Sequence, residues 1–109
     1  MLTLSSLGFI NVAASGTPIA LAAATKGATR IRIQPRKDAV TTNTGNIYIM
    51  CANLGAVANP GSIYAILSPE QVEGIELIPV GSNAWDLAQI WLDADNNGDG
   101  ALIGLVQGG

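Results

Sequence analysis

The segment DADNNGDGALIG, residues 93–104, has an oxygen-bearing side chain at every second position over its first seven residues: Asp93, Asp95, Asn97 and Asp99. Carboxylate and amide oxygens at this spacing are the ligands that a twelve-residue calcium loop of the EF-hand type presents first. Gly98 occupies the position where such a loop turns sharply. The four residues are therefore candidate ligands of a calcium ion, Asp99 through its backbone carbonyl.

The second half of this acidic segment departs from the calcium loop. Its last position is Gly104, where an EF-hand needs a glutamate that binds the ion with both oxygens, and the flanking residues alternate as strands do. The stretch NNGDG between two apolar runs is typical of a β-hairpin turn, because Asn, Asp and Gly tolerate left-handed backbone conformations. We interpret the segment as a hairpin turn and predict neither a metal site nor a cofactor. The alternative is a weak calcium site that is not of the EF-hand type and is completed by a neighbouring loop.

The rest of the chain has few groups suited to catalysis. It contains no histidine and a single cysteine, Cys51, which excludes Ser–His and Cys–His nucleophile pairs and the usual zinc ligand sets. Because Cys51 lies in the apolar run IYIMCA, we predict a buried side chain rather than a reactive thiol. The sequence therefore predicts that the protein is not an enzyme.

The composition indicates association with other proteins. Charged residues make up 12% of the 109 residues, against roughly 25% in ordinary soluble domains. The net charge of −3 does not favour nucleic acid as a partner, and no apolar run approaches the roughly 20 residues of a membrane span. Because so few charges keep copies apart, we predict a homo-oligomer, a dimer or trimer, with no nucleic-acid or membrane partner.

Eight apolar runs of six or seven residues alternate with clusters of turn-forming residues. In the clearest run, Ile31 and Ile33 alternate with polar side chains, and a period of two predicts a strand with one buried face. The regular turn signals predict an all-β fold, an antiparallel β-sandwich or barrel with about eight short strands and little helix. Residues 1–18 are predicted to form an N-terminal arm or first strand, and residues 19–109 a single sandwich domain.

Four basic residues form one candidate contact with a partner. Arg30 and Arg32 project from the same face of a predicted strand, and Arg36 and Lys37 lie in the loop that follows. One interpretation is a solvated face with cross-strand ion pairs. The other is a docking patch for an acidic protein surface, since arginine is a preferred interface residue.

The two tryptophans are the other candidate contacts. Trp85 and Trp91 have the largest side chains in the chain, and we predict that they lie in the core or at a subunit interface. A tryptophan near a loop can instead stack on a sugar.

The chain resembles small virion proteins of tailed bacteriophages, especially capsid decoration or cement proteins. The resemblance covers roughly residues 28–107 and rests on RIRIQPRKDAVTTNTGNIYIM, GIELIPVGS and AQIWLDADNNGDGALIGLV. It implies a jelly-roll-like β-sandwich without catalytic activity that forms dimers or trimers and binds the major capsid protein.

The resulting functional hypothesis is a structural virion protein that stabilises the outside of an assembled phage capsid. On this hypothesis the protein is made in the host cytoplasm and resides on the capsid exterior. The alternative is a carbohydrate- or receptor-binding β module of a phage tail or a secreted protein, in which exposed aromatic side chains and the acidic segment would contact the ligand.

Overall fold

The computed structural model of the protein describes residues 2–37, 42–70, 73–78 and 83–108. Two three-residue 3-10 turns, Pro60–Ser62 and Leu87–Gln89, are the helical elements of these ranges. The strands are β1 (Leu2–Asn11), β2 (Ile19–Ala20), β3 (Gly27–Ala28), β4 (Arg30–Pro35), β5 (Ile47–Met50), β6 (Ile63–Leu67), β7 (Ile75–Leu77), β8 (Trp85–Asp86), β9 (Trp91–Ala94) and β10 (Gly100–Gly108). Within the described ranges, no helix is long and apolar enough to span a membrane.

Two four-stranded antiparallel sheets form most of the molecule. Sheet I has the strand order β1-β10-β4-β7, and sheet II has the order β2-β9-β5-β6. The short strands β3 and β8 pair with each other. The prediction of an all-β, antiparallel, sandwich-like fold is confirmed.

Side-chain alternation builds a single hydrophobic core from both sheets. Ile31 and Ile33 of β4 and Ile103 of β10 are fully buried on the inner face of sheet I. Ile47 of β5 and Leu92 of β9 are equally buried and belong to the same cluster of core residues. The outward residues of each strand are then free to form the surface.

The strands pair in a nested order along the chain. The first strand pairs with the last, the second with the ninth, and so on inward: β1–β10, β2–β9, β3–β8, β4–β7 and β5–β6. Two further pairings, β10–β4 and β5–β9, join these ribbons into the two sheets.

The predicted hairpin at the acidic segment is therefore wrong. The strands on either side of it, β9 and β10, belong to different sheets, so the turn carries the chain from sheet II to sheet I. Among the described strands, β5 and β6 are the consecutive pair that hydrogen-bond to each other. Turn-forming residues reverse the chain direction, but they do not decide which sheet the next strand joins.

The eight predicted runs all have counterparts among the ten strands. The two additional strands, β3 and β8, are two residues long, which is too short to show alternation in a sequence. Strand β1 begins at Leu2, before its predicted run LGFINVA, residues 7–13. The predicted run IELIPV covers residues 75–80, of which residues 79–80 lie outside the described ranges.

The predicted burial of Cys51 is wrong, because its side chain is exposed. Strand β5 ends at Met50, one residue before Cys51, so the two-residue alternation no longer governs the direction of the thiol. The backbone N–H of Cys51 donates to the carbonyl of Ser62 at 2.9 Å, which leads the chain into the loop at residues 51–59.

Candidate binding surface

Asp93 is the most deeply buried carboxylate of the acidic segment, with 1% of its surface exposed. Its Oδ1 accepts hydrogen bonds from the backbone N–H groups of Gly16 at 2.9 Å and Ala94 at 2.8 Å. Its Oδ2 accepts from the N–H of Ala56 at 2.8 Å. The side chain thus joins β9 to two loops that are distant in sequence, and both of its oxygens are engaged.

Asp99 has the same role at the other end of the segment. Its Oδ2 accepts from the backbone N–H groups of Thr44 at 3.0 Å and Gly45 at 2.9 Å, and from the Thr44 hydroxyl at 3.2 Å. Next to it, the buried amide of Asn43 donates to the carbonyl of Gly100 and accepts from its N–H. The start of β10 is thereby fixed to the loop before β5.

Asp95 and Asn97 hold the exposed side of the turn. Asp95 accepts from the N–H of Asn46 at 3.1 Å and from the hydroxyl of Tyr48 at 2.6 Å. The Oδ1 of Asn97 accepts from the N–H of Ser15 at 2.7 Å.

The four candidate calcium ligands thus face separate groups of donors, not a common point. No group of three or more metal-binding side chains occurs within the described ranges. The acidic segment is a structural junction of loops, and the sequence spacing alone could not show this, because the donors come from distant parts of the chain.

The hydrogen bond from Tyr48 to Asp95 leads to a first prediction. This bond, together with burial, raises the pKa of Tyr48 above its ordinary value of 10.0, because ionisation would place a phenolate beside a carboxylate. The bond stabilises the fold below pH 10.0 and is lost as the pH rises through the raised pKa. We expect the Asp95→Asn substitution to lower the pKa of Tyr48.

Absorbance titration of phenolate formation measures this pKa, and the Tyr48→Phe variant identifies which transition belongs to Tyr48. An identical titration of Tyr48 in the wild type and in Asp95→Asn would contradict the role assigned to the bond.

The structure places two of the four basic candidates side by side on the outer face of sheet I. Arg30 and Arg32 are exposed there, and Arg30 forms an ion pair of 3.8 Å with Glu76 of β7. Arg32 has no acidic partner among the residues whose structure is described. The interpretation as a solvated face with cross-strand ion pairs thus fits Arg30. Arg32 lies directly opposite the same Glu76 in the strand register but forms no ion pair with it, so the two arginines share one carboxylate.

The other two basic candidates lie beyond the end of β4. The guanidinium of Arg36 lies 4.5 Å from the centroid of the Phe9 ring and donates to Oδ1 of Asn11 at 2.9 Å. It therefore helps to attach β1 to the sheet. Lys37 is exposed and forms an isolated bridge with Thr42.

Exposed apolar side chains lie next to the arginines, in rows that the strand register defines. One row runs from Leu4 of β1 through Val106 of β10 to Arg30 of β4. The next row runs from Ser6 through Gly104 to Arg32. Because Gly104 has no side chain, a shallow depression of about 420 Å³ lies between these rows.

We call this surface the sheet I face. It consists of outward-facing residues of the four strands of sheet I: Leu4, Ser6, Phe9, Arg30, Arg32, Glu76, Leu102, Gly104 and Val106. Its arginines were among the predicted contacts, whereas its apolar residues were not. The alternation of Leu2 and Leu4 with Thr3 and Ser5 was the available signal.

The two tryptophans occupy separate positions. Trp85 is half-buried against the core, and its Nε1 donates to the carbonyl of Ile78 at 3.1 Å. It lines a cleft of about 260 Å³ together with the exposed ring of Tyr64. Trp91 is also half-buried and lines a different groove, beside Pro18.

Comparison of the chain with protein-family models, with curated proteins and with solved structures finds no match. The geometry of the described residues is therefore the basis for a functional proposal.

Proposed function

We propose that the protein is a structural virion protein that binds the outside of an assembled phage capsid and stabilises it. The observation that carries this proposal is the sheet I face, where exposed apolar side chains adjoin two arginines, Arg30 and Arg32, that share the single carboxylate of Glu76. The partner on this proposal is the major capsid protein.

The composition of the sheet I face suits a protein partner. Leu4 is 85% exposed and Phe9 is 43% exposed, and apolar side chains that become buried on association supply most of the free energy of binding. Arg32 adds an oriented contact to a carboxylate on the partner. Since all these residues lie on paired strands, little conformational entropy is lost on binding.

The nested strand pairing supports the jelly-roll form of the sandwich. A jelly roll arises when a long antiparallel ribbon wraps into two sheets, so that the outermost strands pair with each other and the innermost pair forms a hairpin. The pairing from β1–β10 inward to β5–β6 has this order. Viral capsid domains are among the proteins that use this architecture.

The proposed mechanism is stabilisation by mass action. A protein that binds only the assembled shell lowers the free energy of that shell in proportion to the occupied sites. Because a capsid presents many equivalent sites, a modest interface at each site gives a large total stabilisation.

The test is cosedimentation of the purified protein with purified capsids of the phage whose genome encodes it. We expect Arg32→Glu to weaken capsid binding about tenfold or more, because it reverses the charge at the centre of the face. Lys26→Glu is the matched control, since it makes the same charge change at an exposed residue outside the face.

Wild-type protein that fails to cosediment would overturn the proposal. If Arg32→Glu and Lys26→Glu bind capsids equally well, the sheet I face is not the surface that binds the capsid.

A second candidate function is carbohydrate binding, favoured by the cleft between Tyr64 and Trp85. Asp86 and Gln89 also line this cleft, and aromatic rings beside polar side chains suit a sugar ring. Capsid-independent binding to a glycan array would favour this function over capsid attachment.

A further inference from the structure

We propose that two copies of the protein associate by pairing the free edges of β1, antiparallel to each other, about a twofold axis at Leu4. The pairing would join the two copies of sheet I into one continuous eight-stranded sheet. This association does not depend on attachment to a capsid.

The exposed edge of β1 is long compared with the other sheet edges. Strand β1 has ten residues and lies at the end of sheet I, paired only with β10 among the described strands. The opposite edge of sheet I is the three-residue β7, and the edges of sheet II are the two-residue β2 and the five-residue β6. Strand β1 is therefore the best template for a further strand.

The hydrogen-bonding direction in β10 shows which groups of β1 face this edge. The carbonyl of Val106 accepts from the N–H of Thr29 at 2.8 Å and so points toward β4. Leu4 lies directly opposite Val106 on the other side, so its own N–H and C=O point away from β10. The N–H and C=O groups of every second residue in a strand point to the same side, so those of Leu2 and Ser6 also face the free edge.

The outward backbone groups of Leu2, Leu4 and Ser6 can pair with the same groups of a second copy. With the twofold axis at Leu4, Leu4 exchanges both backbone hydrogen bonds with Leu4 of the partner subunit. Leu2 then lies opposite Ser6 of the partner subunit, and Ser6 opposite Leu2 of the partner subunit. Within residues 2–6, these three residues carry all the outward N–H and C=O groups, so this register gives each of the three residues a partner.

A bulge limits the pairing to this segment. The register of β1 against β10 shifts between Ser6 and Gly8, where Gly8 has φ 71°. The Ser6 hydroxyl fills the bulge by accepting from the Gly8 N–H at 2.9 Å and donating to the carbonyl of Ile103 at 3.2 Å. The regular part of the edge is therefore residues 2–6.

The occupant that fits this edge is a second copy of the chain. Natural edge strands usually carry a lysine, a proline or an inward charge that blocks pairing, and β1 carries none of these. Its leucines are largely exposed, Leu2 at 62% and Leu4 at 85%. Two uncharged strands do not repel each other, and the four leucines of the pair would form one apolar cluster on the outer side of the joined sheet.

The size of the pairing predicts a reversible dimer. Five paired residues a side bury less than the roughly 800 Å² per partner of a standard stable interface. We therefore expect the fraction of dimer to rise with protein concentration.

The first test is sedimentation equilibrium of the wild type and of edge variants. We expect the wild type to approach twice the 11.1 kDa mass of the chain at high concentration. Leu4→Lys places two like charges at the axis, and Leu4→Pro removes the outward N–H without removing a bond to β10. Both should be monomers, whereas Val57→Lys, at a residue that is also 85% exposed, should dimerise like the wild type.

The second test determines the register by disulfide formation in a Cys51→Ser background. Leu4→Cys should oxidise to a covalent dimer, because the two residues at the axis lie about 5.5 Å apart between Cα atoms. Thr3→Cys should not, since Thr3 faces Ser5 of the partner subunit.

A wild type that stays at the monomer mass at millimolar concentration would overturn the proposal. Dimers of Leu4→Lys and Leu4→Pro, or equal cross-linking of the two cysteine variants, would overturn it as well.

Discussion

Replacing Asp93 by alanine is expected to destabilise the protein by about 3–5 kcal/mol, the largest effect of removing any one carboxylate of the acidic segment. The carboxylate is 1% exposed and accepts from three backbone N–H groups. Its removal leaves the buried N–H groups of Ala56 and Ala94 without a partner, and each buried donor left unsatisfied costs about 1–3 kcal/mol. The N–H of Gly16 belongs to an exposed residue and is only partly buried, so the loss of its bond adds less. Urea unfolding followed by tryptophan fluorescence measures the change.

The matched control is Asp95→Ala in the same segment. Asp95 is exposed, so water can replace its two hydrogen bonds, and the expected loss of stability is about 1 kcal/mol or less. Equal destabilisation by Asp93→Ala and Asp95→Ala would contradict the assignment of Asp93 as the acceptor that holds the loops together.

Gly100→Ala is expected to destabilise the protein by about 3 kcal/mol or more. A Cβ atom at this position would overlap the carbonyl oxygen of Ile10 and lie 2.8 Å from the Cα of Asn11. Both are backbone atoms of β1, so relief of the overlap requires β1 to move away from β10. Thermal unfolding of the variant measures the loss.

Gly61→Ala provides the comparison for this backbone effect. No atom lies within 4 Å of a Cβ built at Gly61, and the substitution reduces the freedom of the unfolded chain. Its stability should equal or slightly exceed that of the wild type. A Gly100→Ala variant as stable as Gly61→Ala would show that β1 is not held closely at this point.

The Gly100→Ala variant also connects the stability of the fold with the formation of the dimer. Gly100 lies where the end of β1 meets the acidic segment, and the same strand presents its free edge at Leu4. If Gly100→Ala loosens β1, the edge at residues 2–6 is less well ordered, and dimer formation should weaken together with stability.

Asp93 shows the limit of what can be predicted from the sequence about the candidate sites. Alternating carboxylates and amides can hold a cation or can accept from backbone N–H groups, and both uses give the same spacing of residues. The choice depends on Gly16 and Ala56, which are far from Asp93 in the sequence and approach it only in the folded chain. Similarly, the alternation of Leu2 and Leu4 in the sequence indicates a strand, but the position of Leu4 on the same face as Arg30 follows only from the pairing of β1 with β10 and of β10 with β4.

The fold class and most strand positions could be predicted from the residue pattern, because the alternation of Ile31 and Ile33 with arginines, and its equivalents in other runs, is a local property of the chain. Which strands pair depends instead on the folding of the whole chain. The acidic segment shows this: its Asn, Asp and Gly residues specify a turn, yet β9 and β10 join different sheets. Strand pairing depends on contacts between residues at opposite ends of the chain, and local residue patterns carry no information about those distant partners.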